Sequence, residues 1–188
     1  MSVTRIRRRA ALAAVMTLSA LGLALPTTGH AQAKSALNLA MIGEPPTLDV
    51  QSTPADLVCI IMQHVYETLY TFDAKSTLVP MLAESMPKIS ADGKSYAITL
   101  RKGVKLHSGR DLNADDVVAS LKRWMEVSPR GKSVAAQVAD IVAKDPLNVE
   151  ISLKNAYAPL LSQLAMASGM AAIMAKETLA QPLREYVG

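Results

Sequence analysis

The chain has 188 residues, half of them hydrophobic and 19% charged, which excludes an intrinsically disordered protein. Its formal net charge is +4, yet Arg5, Arg7, Arg8 and Arg9 account for all of that excess, because residues 34–188 carry sixteen basic and sixteen acidic side chains. The body is formally neutral, so the sequence-wide basic field of a nucleic-acid-binding protein is excluded too.

In chain order, residues 1–33 have the three-part build of a secretory signal peptide. The cationic Met1–Arg9 precedes an apolar stretch over Ala10–Leu25, Pro26 breaks it, and Ala31-Gln32-Ala33 supplies a small-x-small cleavage signature. Cleavage is expected between Ala33 and Lys34. A membrane anchor is the rival reading, but the apolar stretch is shorter than the ~20 residues a spanning helix needs and contains Thr17 and Ser19. The Arg8-Arg9 pair leaves both the Sec and the twin-arginine route open. Export places the remaining chain in an oxidising compartment, where the single Cys59 has no internal disulfide partner and is expected as a small buried apolar residue. The mature chain holds no apolar run long enough to span a bilayer, so no membrane-spanning segment is expected in it.

Alternation of Leu37, Leu39 and Met41 predicts a strand ending at Gly43-Glu44-Pro45-Pro46. A helix is then expected from an N-cap at Thr53, with Pro54 in its first turn and Asp56 facing the dipole. Its stripe would be Leu57, Ile60, Ile61, Val65 and Leu69, running down to Tyr70. Asp92-Gly93 predicts a hairpin between Lys88–Ala91 and the alternating Tyr96, Ile98 and Leu100, with Val104 and Leu106 continuing the alternation. The clearest helix follows Asn113, with Asp115 and Asp116 in its first turn, Lys122 and Arg123 near its end, and Val117, Val118, Leu121, Trp124 and Met125 on one face. A second hairpin should join Val138–Ala143 to Val149, Ile151 and Leu153 through Asp145-Pro146. Leu160–Met174 is expected as a helix that Gly169 can interrupt. The element mix is α+β with antiparallel hairpins, unlike the alternating pattern of a doubly wound sheet.

The residues that could carry chemistry are few. His64 and His107 stand on unrelated segments, whereas a metal centre needs three or four converging ligands, so no metal and no cofactor is expected. Asp115 and Asp116 point about 100° apart on a helix and are explained by the dipole. No nucleophile elbow, phosphate-cradling glycine loop or Cys/His pair is present. Trp124 and the series Met166, Met170, Met174 read as core. No catalytic residue is expected, and the profile favours binding.

Five successive segments then carry a resemblance: LNLAMIGEPPTLDV (Leu37–Val50), VYETLY (Val65–Tyr70), VPMLAESM (Val79–Met86), SYAITLRKGVKLH (Ser95–His107) and SGRDLNADDVVASLKR (Ser108–Arg123). Their order resembles family 5 of the extracytoplasmic solute-binding proteins of ABC transporters, the peptide- and nickel-binding group, over residues 36–188. Leu106, Ser108 and Asn113 stand where the family usually has Phe, Asp and Thr; these substitutions are structural.

The resemblance implies a periplasmic-binding-protein-like fold of class II, in an incomplete form, since family members run several hundred residues longer. Residues 34–70 and 171–188 would belong to the large N-terminal lobe, and 71–170 to a small inserted α+β domain. The implied function is the receptor component of an importer for an oligopeptide or similar small solute. The expected partner is an inner-membrane ABC permease, and the receptor itself is expected to be a monomer. Solute would lie in a cleft that closes by hinge motion, held largely through main-chain hydrogen bonds. The turn after the first strand, with Glu44, Pro46 and Thr47, is the expected cleft wall. With half of that cleft missing, tight peptide binding by this chain alone is not expected. An exported interaction protein without transport ligand, or a periplasmic hydrolase using His64 or His107, are the alternatives.

Overall fold

A computed structural model describes residues 38 and 40–179. The expected signal segment, its cleavage point at Ala33 and Lys34, and most of the strand expected over Leu37–Met41 lie outside the described residues. The chain divides into two units, residues 1–40 and 41–188, and every element below belongs to the second. Met41 itself lies in no strand.

The scaffold is a four-stranded antiparallel sheet. The strands β3 (Lys88–Ile89), β4 (Ser95–Thr99), β5 (Val138–Asp145) and β6 (Asn148–Leu153) are arranged in the order β3-β4-β6-β5. Both predicted hairpins are present. The first turns through Gly93 at φ +69, a left-handed conformation that glycine adopts without the Cβ penalty. Register places Tyr96 opposite Ile151, Ile98 opposite Val149, and Ile141 opposite Ile151, so one face of three strands is wholly apolar. Two register shifts in β5 bend this edge strand. Ahead of the sheet, β1 (Tyr70–Phe72) and β2 (Leu78–Pro80) form a separate two-stranded ribbon.

The helix α2 (Ala114–Val127) covers the apolar face with Val117, Leu121 and Trp124. Its start is the N-cap expected at Asn113, which Asp116 closes into a capping box: Asn113 Oδ1 accepts from the Asp116 amide at 3.2 Å, and Asp116 Oδ2 accepts from the Asn113 amide at 3.0 Å. A short helix, α3 (Pro129–Ala135), follows after Ser128 and was not expected. Its Ser-Pro start was a readable signal. Gly131 permits the α2–α3 corner, because a Cβ there would lie 2.0 Å from the Trp124 carbonyl oxygen.

Three expectations need correction. The helix α1 spans only Asp56–Met62; its N-cap is Ala55, and Thr53 instead accepts from the Ala55 amide. Val58, Cys59 and Met62 are its buried face, while Ile60 is 52% exposed. The chain leaves the helix because Leu69 and Tyr70 are drawn into the other core, where Tyr70 pairs with Pro80 in the ribbon. Val104 and Leu106 lie in no strand; between them Lys105 makes one isolated bridge to Asp111.

The third correction concerns the expected Leu160–Met174 helix. Only α4 (Leu160–Ala165) forms, and residues 170–174 are non-helical, followed by a 3₁₀ turn at Lys176–Thr178. Ala171 and Ile173 pack into the large core beside the sheet. Met170, Ala172 and Met174 pack into a second cluster with Val50, Val58, Cys59 and Met62. The side chains alternate between two cores, which is the period-2 signature of a chain threaded between them. A run apolar at every position cannot reveal this by periodicity.

Candidate functional site

The turn expected to line a cleft is held from below by polar contacts across the chain. Asp49 and Gln51 are buried behind it. Arg123, on α2, grips Asp49 with both terminal nitrogens at 2.7 and 3.2 Å and donates to Gln51 Oε1 at 2.7 Å. The Gln51 amide nitrogen donates to the carbonyls of Ser120 and Ala172 at 3.1 and 2.9 Å. One glutamine thereby ties the N-terminal segment to α2 and to the 170–174 segment. Ser120 Oγ accepts from the Met174 amide and donates to its carbonyl, closing the same junction.

On this base Glu44 and Pro46 are exposed, and Thr47 is half-buried, accepting from the Asp49 amide at 3.1 Å. Thr47 therefore shapes its own turn, while Glu44 and Pro46 are free to face a ligand. Ile42 and Leu48 are exposed beside them, and Gly43 lies against Leu57 at the start of α1.

A second feature flanks the same start of α1. The Ser168 hydroxyl donates to the Pro54 carbonyl, and next to this contact opens a pocket of about 350 Å³. Its walls include Pro54, Ser128, Arg130, Tyr157, Gln163 and Gly169. Trp124 Nε1 donates to the Gly169 carbonyl at 2.7 Å, fixing the back of the pocket to α2. Arg130 Nε donates to the Ser168 carbonyl at 2.9 Å, and one terminal nitrogen donates to Gln163 Oε1 at 3.0 Å. Ser128 is fully buried, yet its hydroxyl has no partner among the described residues. Such a group costs about 1–3 kcal/mol until something bonds it. Sequence reasoning passed over Ser128 and Arg130, and only the Ser-Pro cap signal could have flagged them.

The remaining residues that sequence reasoning weighed do not converge. His64 is exposed beyond the end of α1, and His107 is exposed in a turn with its ring 6.4 Å from that of Tyr66. Among the described residues no three His, Cys, Asp or Glu side chains lie close enough to hold a metal ion. Cys59 is buried in the second cluster.

Asp116 is structural. Burial alone would push its carboxyl up. Hydrogen bonds from Arg110, at 2.8 and 2.9 Å, and from the Lys176 and Asn113 amides outweigh that and hold it below the usual aspartate range. Arg110 also holds Glu177 low and, through it, fastens the 3₁₀ turn to α2. No helix among the described residues is long and apolar enough to cross a membrane.

The antiparallel sheet with its covering helix, the ribbon and the threaded 170–174 segment define part of a periplasmic-binding-protein fold. Residues 77–188 match the bacterial extracellular solute-binding proteins, family 5 Middle, and the chain belongs to that family. It is 36% identical to the di/tripeptide-binding protein 2 of Pseudomonas aeruginosa (strain UCBPP-PA14), covering 55% of this chain and 26% of that one. It is 33% identical to the nickel-binding periplasmic protein of Escherichia coli (strain K12), covering 54% and 20%. The solved dipeptide binding protein of Pseudoalteromonas sp. SM9913 in complex with Met-Leu superposes with a TM-score of 0.65 at 28% identity, covering 73% of this chain and 31% of that chain. The chain thus spans between a fifth and about a quarter of the length of these two curated relatives.

Proposed function

We propose that the chain forms part of the periplasmic solute-receptor component of an ABC importer, with peptides or peptide-like molecules as solute and an inner-membrane permease as partner. The observation that carries this reading is the family match over residues 77–188, together with relatives named for di/tripeptide, nickel and glutathione binding. The role is binding; no step of catalysis is assigned to any residue. Glu44, Pro46 and Thr47 form one wall of the solute cleft, with Arg123, Asp49 and Gln51 as the buttress behind it.

The same reading assigns residues 34–70 and 171–188 to the large lobe and 71–170 to a small inserted domain. The second apolar cluster, which joins residues 50–62 to Met170, Ala172 and Met174, supports a separate large-lobe core, while Leu69, Tyr70, Ala171 and Ile173 at the two boundaries pack into the core around the sheet. Mass action supplies the test, since any solute that binds the folded chain raises its melting temperature. Thermal unfolding is to be followed with millimolar di- and tripeptides, glutathione and a nickel chelate, and with a nucleotide and a sugar as controls. The expected result is a concentration-dependent rise with at least one peptide-like solute, reduced in the Glu44→Gln variant. A rise with the controls only would sink the proposal.

A further inference from the structure

The sequence holds one Asp-Gly pair, Asp92-Gly93, and no Asn-Gly pair. An aspartate before glycine is where a chain most readily rearranges its own backbone, because no side chain shields the following amide nitrogen. At the other hairpin Asp145 precedes Pro146, which has no amide hydrogen, so the same reaction is closed there. Asp92 is exposed at the tip of the β3–β4 hairpin, and Gly93 beside it takes φ +69. Both reacting groups are engaged. The Ser90 hydroxyl donates to Asp92 Oδ1 at 2.5 Å, and the Lys94 amide donates to the same oxygen at 3.1 Å. The Gly93 amide donates to the Ser90 carbonyl at 2.9 Å. Ser90 Oγ also accepts from the Ser95 amide at 2.9 Å, so its one hydroxyl proton is left for Asp92.

We infer that Asp92 is a site of self-modification to isoaspartate, and that the Ser90 hydroxyl is the group that restrains it. In the reaction the Gly93 nitrogen attacks Asp92 Cγ, and the N–H hydrogen leaves with the carboxyl hydroxyl as water. Water then opens the cyclic imide at either carbonyl, which returns aspartate or leaves isoaspartate with the main chain routed through the side chain. Mass is unchanged overall. The clasp opposes the first step in two ways. It turns the carboxyl towards Ser90 and Lys94, and the Ser90 bond first, then the Lys94 amide, holds that carboxyl ionised below the usual aspartate range, without a hydroxyl ready to leave. The product would reach beyond the turn. It adds a methylene carbon to the main chain ahead of Lys94, whose carbonyl accepts from the Leu153 amide at 2.7 Å. It also displaces Gly93, packed so closely that a Cβ there would lie 3.2 Å from that of Ala156. Isoaspartate therefore loosens the join between the hairpin tip and the end of β6, whatever solute the chain binds.

The test is ageing of the chain at neutral pH in heavy-oxygen water, followed by digestion with trypsin, which releases Ile89–Lys94 as one peptide. Chromatography separates its aspartyl and isoaspartyl forms, and one heavy oxygen marks each passage through the imide. The folded parent should form isoaspartate at least about tenfold more slowly than the same chain unfolded in guanidinium chloride. Ser90→Ala should speed the folded chain by about fivefold, and Ser90→Thr, which keeps the hydroxyl, should stay near the parent rate. The Leu153 amide should remain protected from hydrogen exchange in Ser90→Ala, which separates loss of the clasp from loss of the hairpin. If Ser90→Ala does not fold, the comparison of folded with unfolded parent decides. Equal rates in folded and unfolded chain, a Ser90→Ala rate no faster than the parent's, or acceleration only together with lost Leu153 protection would overturn the inference.

Discussion

Residues 95–153 and the junction of residues 42–62 with 168–179 are built by different means. In the first region the elements arise from local signals, although β4 pairs with the distant β6: the β5–β6 hairpin turns through Pro146 and Leu147, α2 caps itself within four residues, and strand alternation faces one core. In the second the partners are distant. Gln51 reaches Ser120 and Ala172, Arg123 reaches Asp49, and Trp124 reaches Gly169. The elements of the sheet region follow local signals, the Glu44 turn sits on the junction that long-range polar contacts specify, and the pocket opens where Pro54 and Gly169 of that junction meet Ser128, Arg130, Tyr157 and Gln163. Both candidate surfaces depend on contacts that local propensity does not announce.

The largest effect is expected where α2 turns into α3. Gly131→Ala places a methyl 2.0 Å from the Trp124 carbonyl oxygen and 2.9 Å from Met125 Cα, contacts with backbone that cannot swing away. Urea unfolding should show a loss of about 3 kcal/mol or more. A loss under about 1 kcal/mol would mean that this corner yields.

Next comes Asp116, which belongs to both regions, as the cap of α2 and the acceptor for the Lys176 amide. Asp116→Asn should cost about 2–3 kcal/mol near neutral pH, because a buried charged pair with Arg110 is broken from one side. The folded carboxyl is held below its unfolded value, so its contribution is complete above about pH 4 and declines as pH falls through the depressed value. The variant should therefore lose stability less steeply than the parent on acidification. A parallel acid slope in both proteins would contradict this.

Gln51→Leu sharpens the comparison. It strips the Ser120 and Ala172 carbonyls and one Arg123 nitrogen of a partner, at about 1–3 kcal/mol. Amide exchange should accelerate across residues 170–174 while β4 and β6 keep their protection. The smallest effect is expected at the exposed Lys105–Asp111 pair, where Lys105→Ala should change stability by less than about 1 kcal/mol.

Much of the scaffold was legible because period and cap agree there. Asn113 and the two acidic residues after it announce α2, and Tyr96, Ile98, Val149 and Ile151 alternate as half-buried strands do. The helix expected from Thr53 to Tyr70 was too long because Leu69 and Tyr70 fit the helical spacing yet are buried in the large core around the sheet, apart from the α1 cluster. The Met-rich run was misread for a related reason, since five consecutive buried apolar residues erase the difference between helical and extended periods. Of the candidate surfaces, the Glu44 turn was placed by resemblance. The Arg130 pocket was invisible, because Pro54, Arg130 and Gly169 meet only through the folded junction.

The central claim is that ligand meets the junction and leaves the sheet untouched. Its most direct measurement is the chemical-shift map of the labelled chain on titration with Met-Leu. The account predicts weak, saturable shifts confined to the Glu44 and Thr47 amides, to Ala55 behind Pro54, and to Ser168 and Gly169. Shifts centred on β4 and β6, or none anywhere over the millimolar range, would contradict it.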